Sequence, residues 1–194
     1  MIRASLRLAS LSLLALAACS DPETSPVNLL LTDAPGDVLE AVVTIDEVYL
    51  QGGTEGRVVL TDEPVTVNLL TLADDFLTMV EGVEVPNGDY SQLRFVISGA
   101  YILVEGETGN LIYATSADYE GLPEGAEVAG QLQTPSWDAS GFKVSFTTGL
   151  SISEETTFLV DFDVAESFGH NTGSDQWVLA PILKGSVVEQ QVQP

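Results

Sequence analysis

Val83-Glu84-Val85-Pro86-Asn87-Gly88-Asp89-Tyr90 holds a strand end, a tight Asn-Gly turn and the start of a new strand within eight residues. The second strand continues through Leu93, Phe95 and Ile97, apolar at every other position. Side chains repeating every two residues mark a half-buried strand, and this period governs most of the chain. Residues 27–32 read as a first strand, ended by Asp33-Ala34-Pro35-Gly36-Asp37, which has turn chemistry at nearly every position. Within residues 41–50, Val43, Ile45 and Tyr49 alternate with Thr44, Asp46 and Val48. Gly52-Gly53 turns into a strand over 57–60, and 65–69 alternates again. Further strands are predicted at 101–105, 111–115, 127–132, 141–147, 157–164 and 176–188.

One segment departs from this period. Leu72, Phe76, Leu77 and Val80 fall at helical spacing, with Asp74 and Asp75 outward, and predict a short helix over 70–81. Short strands separated by Gly, Asn, Asp and Pro otherwise predict an all-β antiparallel β-sandwich with one short helix. No repeat of fixed period appears, so residues 27–190 are expected to form a single domain.

Composition narrows the function. The 194 residues are 45% hydrophobic, enough to bury a core. There are 29 Asp and Glu against 6 Lys and Arg, a formal charge of -23. Such a field repels phosphate backbones, so no nucleic-acid partner is expected. One cysteine excludes an internal disulfide framework, and one histidine leaves little general acid–base capacity near neutral pH.

The N-terminus reads as an address. Arg3 and Arg7 precede the apolar and small run from Leu8 to Ala18, too short to span a bilayer and suited to a secretory signal. Leu16-Ala17-Ala18-Cys19 is similar to the lipobox of bacterial lipoproteins. That resemblance implies removal of residues 1–18 and lipidation of Cys19, including palmitate-type acylation, so that Cys19 is an anchor and not a nucleophile. Ser20 after Cys19 resembles the outer-membrane sorting pattern of Gram-negative bacteria. Residues 19–26 form the anchored cysteine and a polar, proline-punctuated tether. The mature chain would keep four basic residues against 29 acidic ones, a charge of -25.

A set of strings occurs in a fixed order: Leu30-Leu31-Thr32-Asp33-Ala34-Pro35, Val67-Asn68-Leu69-Leu70, Val85-Pro86-Asn87-Gly88-Asp89-Tyr90, Thr134-Pro135-Ser136, Gly141-Phe142-Lys143-Val144, Asp161-Phe162-Asp163 and Trp177-Val178-Leu179-Ala180-Pro181-Ile182. Together they resemble the bacterial and archaeal surface domain known as domain of unknown function 4382, over about positions 27–187. The chain departs from that pattern at Ala180, where a basic residue is expected, and at Trp137, where a small one is commoner. The resemblance implies a membrane-anchored sandwich of transthyretin/prealbumin-like or immunoglobulin-like type, with no assigned chemistry.

Asp161 and Asp163 share one strand face, opposite Phe158, Val160 and Phe162. With Asp33 and Asp37 from the acidic turn, they offer the hard oxygens that Ca²⁺ prefers. The competing reading is a solvated strand face beside a turn aspartate. Trp137, between Ser136 and Asp138, is the one aromatic expected at an exposed loop tip, where it would serve ligand binding; Trp177 sits in an apolar run and reads as core. His170 falls in a polar turn, and no Gly-x-Ser-x-Gly elbow accompanies it. The expectation is a non-catalytic surface lipoprotein on the outer membrane, anchored through Cys19, that serves adhesion, ligand binding or envelope assembly and is stabilised by Ca²⁺. Its partners would be envelope proteins or glycans. The rivals are an acid-residue carbohydrate-active enzyme and a structural spacer of an envelope complex.

Overall fold

A computed structural model describes residues 22–34, 36–52, 56–135, 140–171 and 176–188. The period-two runs become strands. β1 (Thr24–Ala34), β2 (Glu40–Gly52), β3 (Gly56–Thr61) and β4 (Val65–Asn68) follow the first predicted runs within a few residues. β1 begins three residues early: Thr24, Ser25 and Pro26 pair with Pro86, Val85 and Glu84 of β5 (Leu77–Pro86). The end of the expected tether therefore belongs to the sheet, where Ser25 is buried and donates to Asn87 Oδ1 at 2.7 Å.

The Asn-Gly corner makes a crossing rather than a hairpin. β5 pairs with β1, whereas β6 (Gly88–Gly106) pairs along one whole edge with β2, from Glu40–Leu103 to Gly52–Tyr90. The Tyr90 hydroxyl donates back to the Pro86 carbonyl at 2.7 Å and Asn87 N donates to Glu23 O at 2.8 Å, which fixes the corner. The other edge of β6 takes β10 (Leu150–Ile152), β9 (Phe142–Phe146) and β7 (Gly109–Ala114) in turn.

β6 absorbs two predicted strands into one of 19 residues. Leu93, Phe95 and Ile97 face the core at odd positions, and Ala100, Ile102 and Val104 face it at even ones. The parity changes because Ile45 pairs with Ile97 while Thr44 pairs with Gly99, leaving Ser98 as an extra residue. On β2 the matching irregularity is Asp46, since Glu47 pairs with Val96. Each such bulge flips the following side chains to the other face. Val48 and Leu50 consequently join the main core, and Tyr49 points the other way, its hydroxyl on Ser140 O and its ring beneath Arg57.

From β7 the sheet continues through β8 (Val128–Gln133) and β13 (Gln176–Leu179) to β12 (Phe168–Asn171). In the other direction β9 leads to β14 (Leu183–Val188), β11 (Thr156–Asp163), β1 and β5. The fold is all-β and sandwich-like, with its main hydrophobic core on one face of the sheet. The sheet is mixed: β1–β11, β14–β9, β13–β8 and β7–β8 run parallel, and the other described ladders antiparallel. The predicted strand over 176–188 is two strands, split at Ala180-Pro181-Ile182. Pro181 has no N–H for a ladder, while Ala180 N and Ile182 N are taken by Ser167 O and Oγ at 2.8 Å each.

The helix expected over 70–81 is a single 3₁₀ turn, Leu69–Leu72, followed by β5. The Thr32 hydroxyl donates to the carbonyls of Leu72 and Asp75 at 3.0 and 2.9 Å, groups that a longer helix would need for itself. Phe76, expected on the apolar face, is 56% exposed. Among the described residues the one α-helical turn, α1 (Val164–Ser167), lies elsewhere. Among the described residues no helix is long and apolar enough to cross a membrane.

Phe95, Phe158 and Phe162 anchor the core with Leu29, Leu31 and Ile45, all fully buried. Each such side chain contributes about 1.5–3 kcal/mol by leaving water. A second, smaller cluster of Val42, Tyr101 and Ala114 lies on the opposite face of β2 and β6, covered by Tyr119 and Leu122 from the β7–β8 loop.

Candidate functional site at the end of the sheet

β1 and β11 run parallel, so both deliver their last residues to the same end of the molecule. Thr32 pairs with Asp161, Asp33 with Phe162 and Ala34 with Asp163. Partners in register share a face, so Asp33 lies on the face of the buried Phe162, whereas Asp161 and Asp163 share the opposite face of the sheet. Asp33 is buried, and its Oδ1 accepts from Val164 N at 3.2 Å. Asp163 caps α1, its Oδ1 accepting from Glu166 N at 2.9 Å, which satisfies an N–H left over at the helix start.

Lys184 completes this network. It lies on β14 opposite Asp161, and its Nζ donates to Asp163 Oδ2 and, at 2.9 Å, to Glu166 Oε2. Burial pushes the Asp163 carboxyl up, but the Lys184 ammonium and the Glu166 N–H outweigh it and hold the group below its ordinary value. The hydrogen bonds to Asp163 and Glu166 hold Lys184 above its ordinary value in turn. Of the four aspartates read as calcium ligands, Asp163 thus has its charge met by a lysine. Among the described residues no group of three or more His, Cys, Asp and Glu side chains is disposed to hold a metal ion.

Asp37, the fourth, is exposed and lines a pocket of about 230 Å³ with Val38, Val164, Phe168, His170 and Trp177. α1 supplies its inner wall and the β12–β13 pair its outer one. His170 and Trp177 face each other across that pair, their ring centroids 4.9 Å apart and inclined by 32°. Tyr113 packs on Trp177 at 6.2 Å and backs the indole from β7. Trp177, read from the sequence as core, is half-buried at the pocket wall, and His170 is a wall residue as well. The usable signal was pairing: with Asn171 opposite Gln176, the next pair outward is His170 with Trp177.

An apolar wall bearing one imidazole and one carboxylate suits reversible capture of a small ligand with an apolar face and a polar edge. No hydroxyl or thiol nucleophile is among the described lining residues. Trp137 and Cys19 lie outside the described residues.

A family model for a domain of unknown function (DUF4382) matches residues 24–181. Neither the curated proteins nor the solved structures contain a match to the chain.

Proposed function

This chain belongs to the DUF4382 family, and from that premise we propose a non-catalytic surface lipoprotein that captures a ligand at the end of its sheet farthest from the anchor. The observation that carries the reading is the course of β1. It starts at Thr24, five residues after Cys19, and ends at Ala34 beside the Asp163–Lys184 ion pair and the His170–Trp177 pocket. At about 3.3 Å per residue, β1 sets that end roughly 33 Å from the strand's start. Leu16-Ala17-Ala18-Cys19 supports lipidation of Cys19 in the outer membrane, and two or three acyl chains make such an attachment permanent. Lys184, paired with Asp163 and Glu166, then serves as a cation that pins the ligand-bearing end. The mature charge of -25 keeps the domain off anionic surfaces and favours uncharged or cationic partners, such as envelope glycans.

The test has two arms. Cys19→Ser should move the protein from the membrane fraction to the soluble one and abolish incorporation of labelled palmitate; unchanged fractionation would refute the anchor. From an array the mature chain should retain a set of glycans that Trp177→Ala and His170→Ala no longer retain. Turnover of a polysaccharide, lipid or peptide that a single Asp or His substitution abolishes would overturn the non-catalytic reading.

A further inference from the structure

The outer face of β2 and β6 carries a second concavity, a groove of about 640 Å³. Its floor is Thr44 and Asp46 of β2 with Ser98 of β6; Pro64 and Thr66 form one wall, and the β7–β8 loop from Thr115 to Gly121 forms the other. Asp46 and Ser98 are the two residues that the β2–β6 register leaves over. Both irregularities therefore deliver a polar side chain to this floor, where Ser98 Oγ donates to Asp46 Oδ1 at 2.7 Å. Bulges re-aim side chains in this way beside binding sites.

The loop wall is also held in place. The Tyr119 hydroxyl shares a hydrogen bond with Thr44 Oγ1 at 2.6 Å, and Thr44 Oγ1 shares another with Thr66 Oγ1 at 2.7 Å. The Tyr119 ring occupies space that exists only because Gly99 and Gly121 lack side chains: a Cβ on either would overlap ring atoms. Glycine in the middle of a strand weakens it, so Gly99 trades strand stability for the seat of this tyrosine. A loop of 13 residues fixed over a rigid sheet floor is a common form of binding site.

We propose that this groove binds an oligosaccharide that carries no acidic groups. Hydroxyls of Thr44, Thr66, Ser98, Ser116 and Tyr119 line it, groups that both donate and accept as sugar hydroxyls do, while the Thr115 hydroxyl is held by the Ala100 backbone. Its volume falls within the usual range of small-ligand sites, about 300–1,000 Å³. Asp46, Asp118 and Glu120 accept strongly from sugar hydroxyls or amino groups. No Lys, Arg or His is among the described lining residues, so a uronate or sulfated sugar would bring its charge against carboxylates with no described cation to meet it. The groove shares no lining residue with the His170–Trp177 pocket, and either site can fail while the other stands.

The experiment titrates the purified full chain with a glucosamine trimer, an N-acetylglucosamine trimer and a galacturonate trimer, followed by calorimetry and by amide signals of Thr44, Ser98 and Tyr119. The first two should bind at millimolar concentration or below and shift those signals, and the galacturonate trimer should not. Thr66→Val and Asp118→Asn, both at exposed positions, should each weaken binding about tenfold, the worth of one hydrogen bond to a charged or polar group. Glu107→Gln, an exposed acid on the β6–β7 turn, changes charge equally and should leave binding intact. Absence of binding by both uncharged and amino trimers, equal binding of all three, or wild-type affinity in Thr66→Val and Asp118→Asn would each overturn the proposal.

Discussion

Replacing Gly99 by alanine should reverse its effect on stability according to what stands at position 119. In the wild-type chain a Cβ at Gly99 would overlap Tyr119 Cε2 and Cδ2 and come within 3.1 Å of Cζ. The ring cannot withdraw, because Gly121 closes on its Cζ, Cε1 and hydroxyl from another direction. Forcing one carbon into such a site costs about 2 kcal/mol, within the range of overpacked cores. Against this, alanine recovers about 0.5 kcal/mol of the backbone entropy that glycine loses in a strand. The net is a loss of about 1.5 kcal/mol, or roughly 3–6 °C in Tm for a chain of this size. In a Tyr119→Ala background the obstruction is gone, and Gly99→Ala should stabilise by about 0.5 kcal/mol. Urea unfolding of the four proteins closes the cycle, with an expected coupling of about 2 kcal/mol. If Gly99→Ala costs the same in both backgrounds to within about 0.5 kcal/mol, Tyr119 does not sit against Gly99, and the wall of the groove is not held as described.

Two further outcomes follow from the charge network and the core. The Asp163 carboxyl titrates lower in the folded chain than its ordinary value of 3.8, so its stabilisation is complete above that value and is lost as pH falls through the lowered one. The Tm gap between wild type and Asp163→Asn, followed from pH 6 downward, should hold until about pH 4 and then close; a gap independent of pH would show that Lys184 does not hold this carboxylate. Phe158→Ala, which removes a fully buried ring that meets Phe146 edge-on at 5.7 Å, should cost about 3–5 kcal/mol in urea unfolding, and a loss under about 1 kcal/mol would contradict the packing.

The strands were legible wherever one face is buried and the other wet. Val43 and Ile45, or Phe158, Val160 and Phe162, alternate because they line a core, and their period is visible without coordinates. Legibility failed where the backbone breaks period. Ser98 and Asp46 shift the parity of β6 and β2, so one strand read as two and Tyr49 was given the inward place of Val48. The helical spacing of Leu72, Phe76, Leu77 and Val80 is real, but Thr32 takes the carbonyls that would extend the turn, and β1 claims the rest as its neighbour. At the end of the sheet, the shared face of Asp161 and Asp163 was readable from alternation. Lys184 was not, because it arrives from β14 through a pairing with no local signature. The same applies to the groove, whose floor and walls come from segments 22 to 75 residues apart.

The position of β1 between two partner strands has a mechanical consequence. It is flanked on both edges, by β11 in parallel over Val27–Ala34 and by β5 in antiparallel over Thr24–Leu31. A pull transmitted from the N-terminal side, resisted by something held at the far end, acts along the axis of β1. Its backbone hydrogen bonds lie across that axis, so they are loaded in shear and must yield together, whereas a peeled edge strand gives way one rung at a time. If Cys19 is anchored as proposed, the strand next to the anchor is thus placed where tension meets the greatest resistance, and a load applied at the far end would not unravel the domain from its N-terminal side.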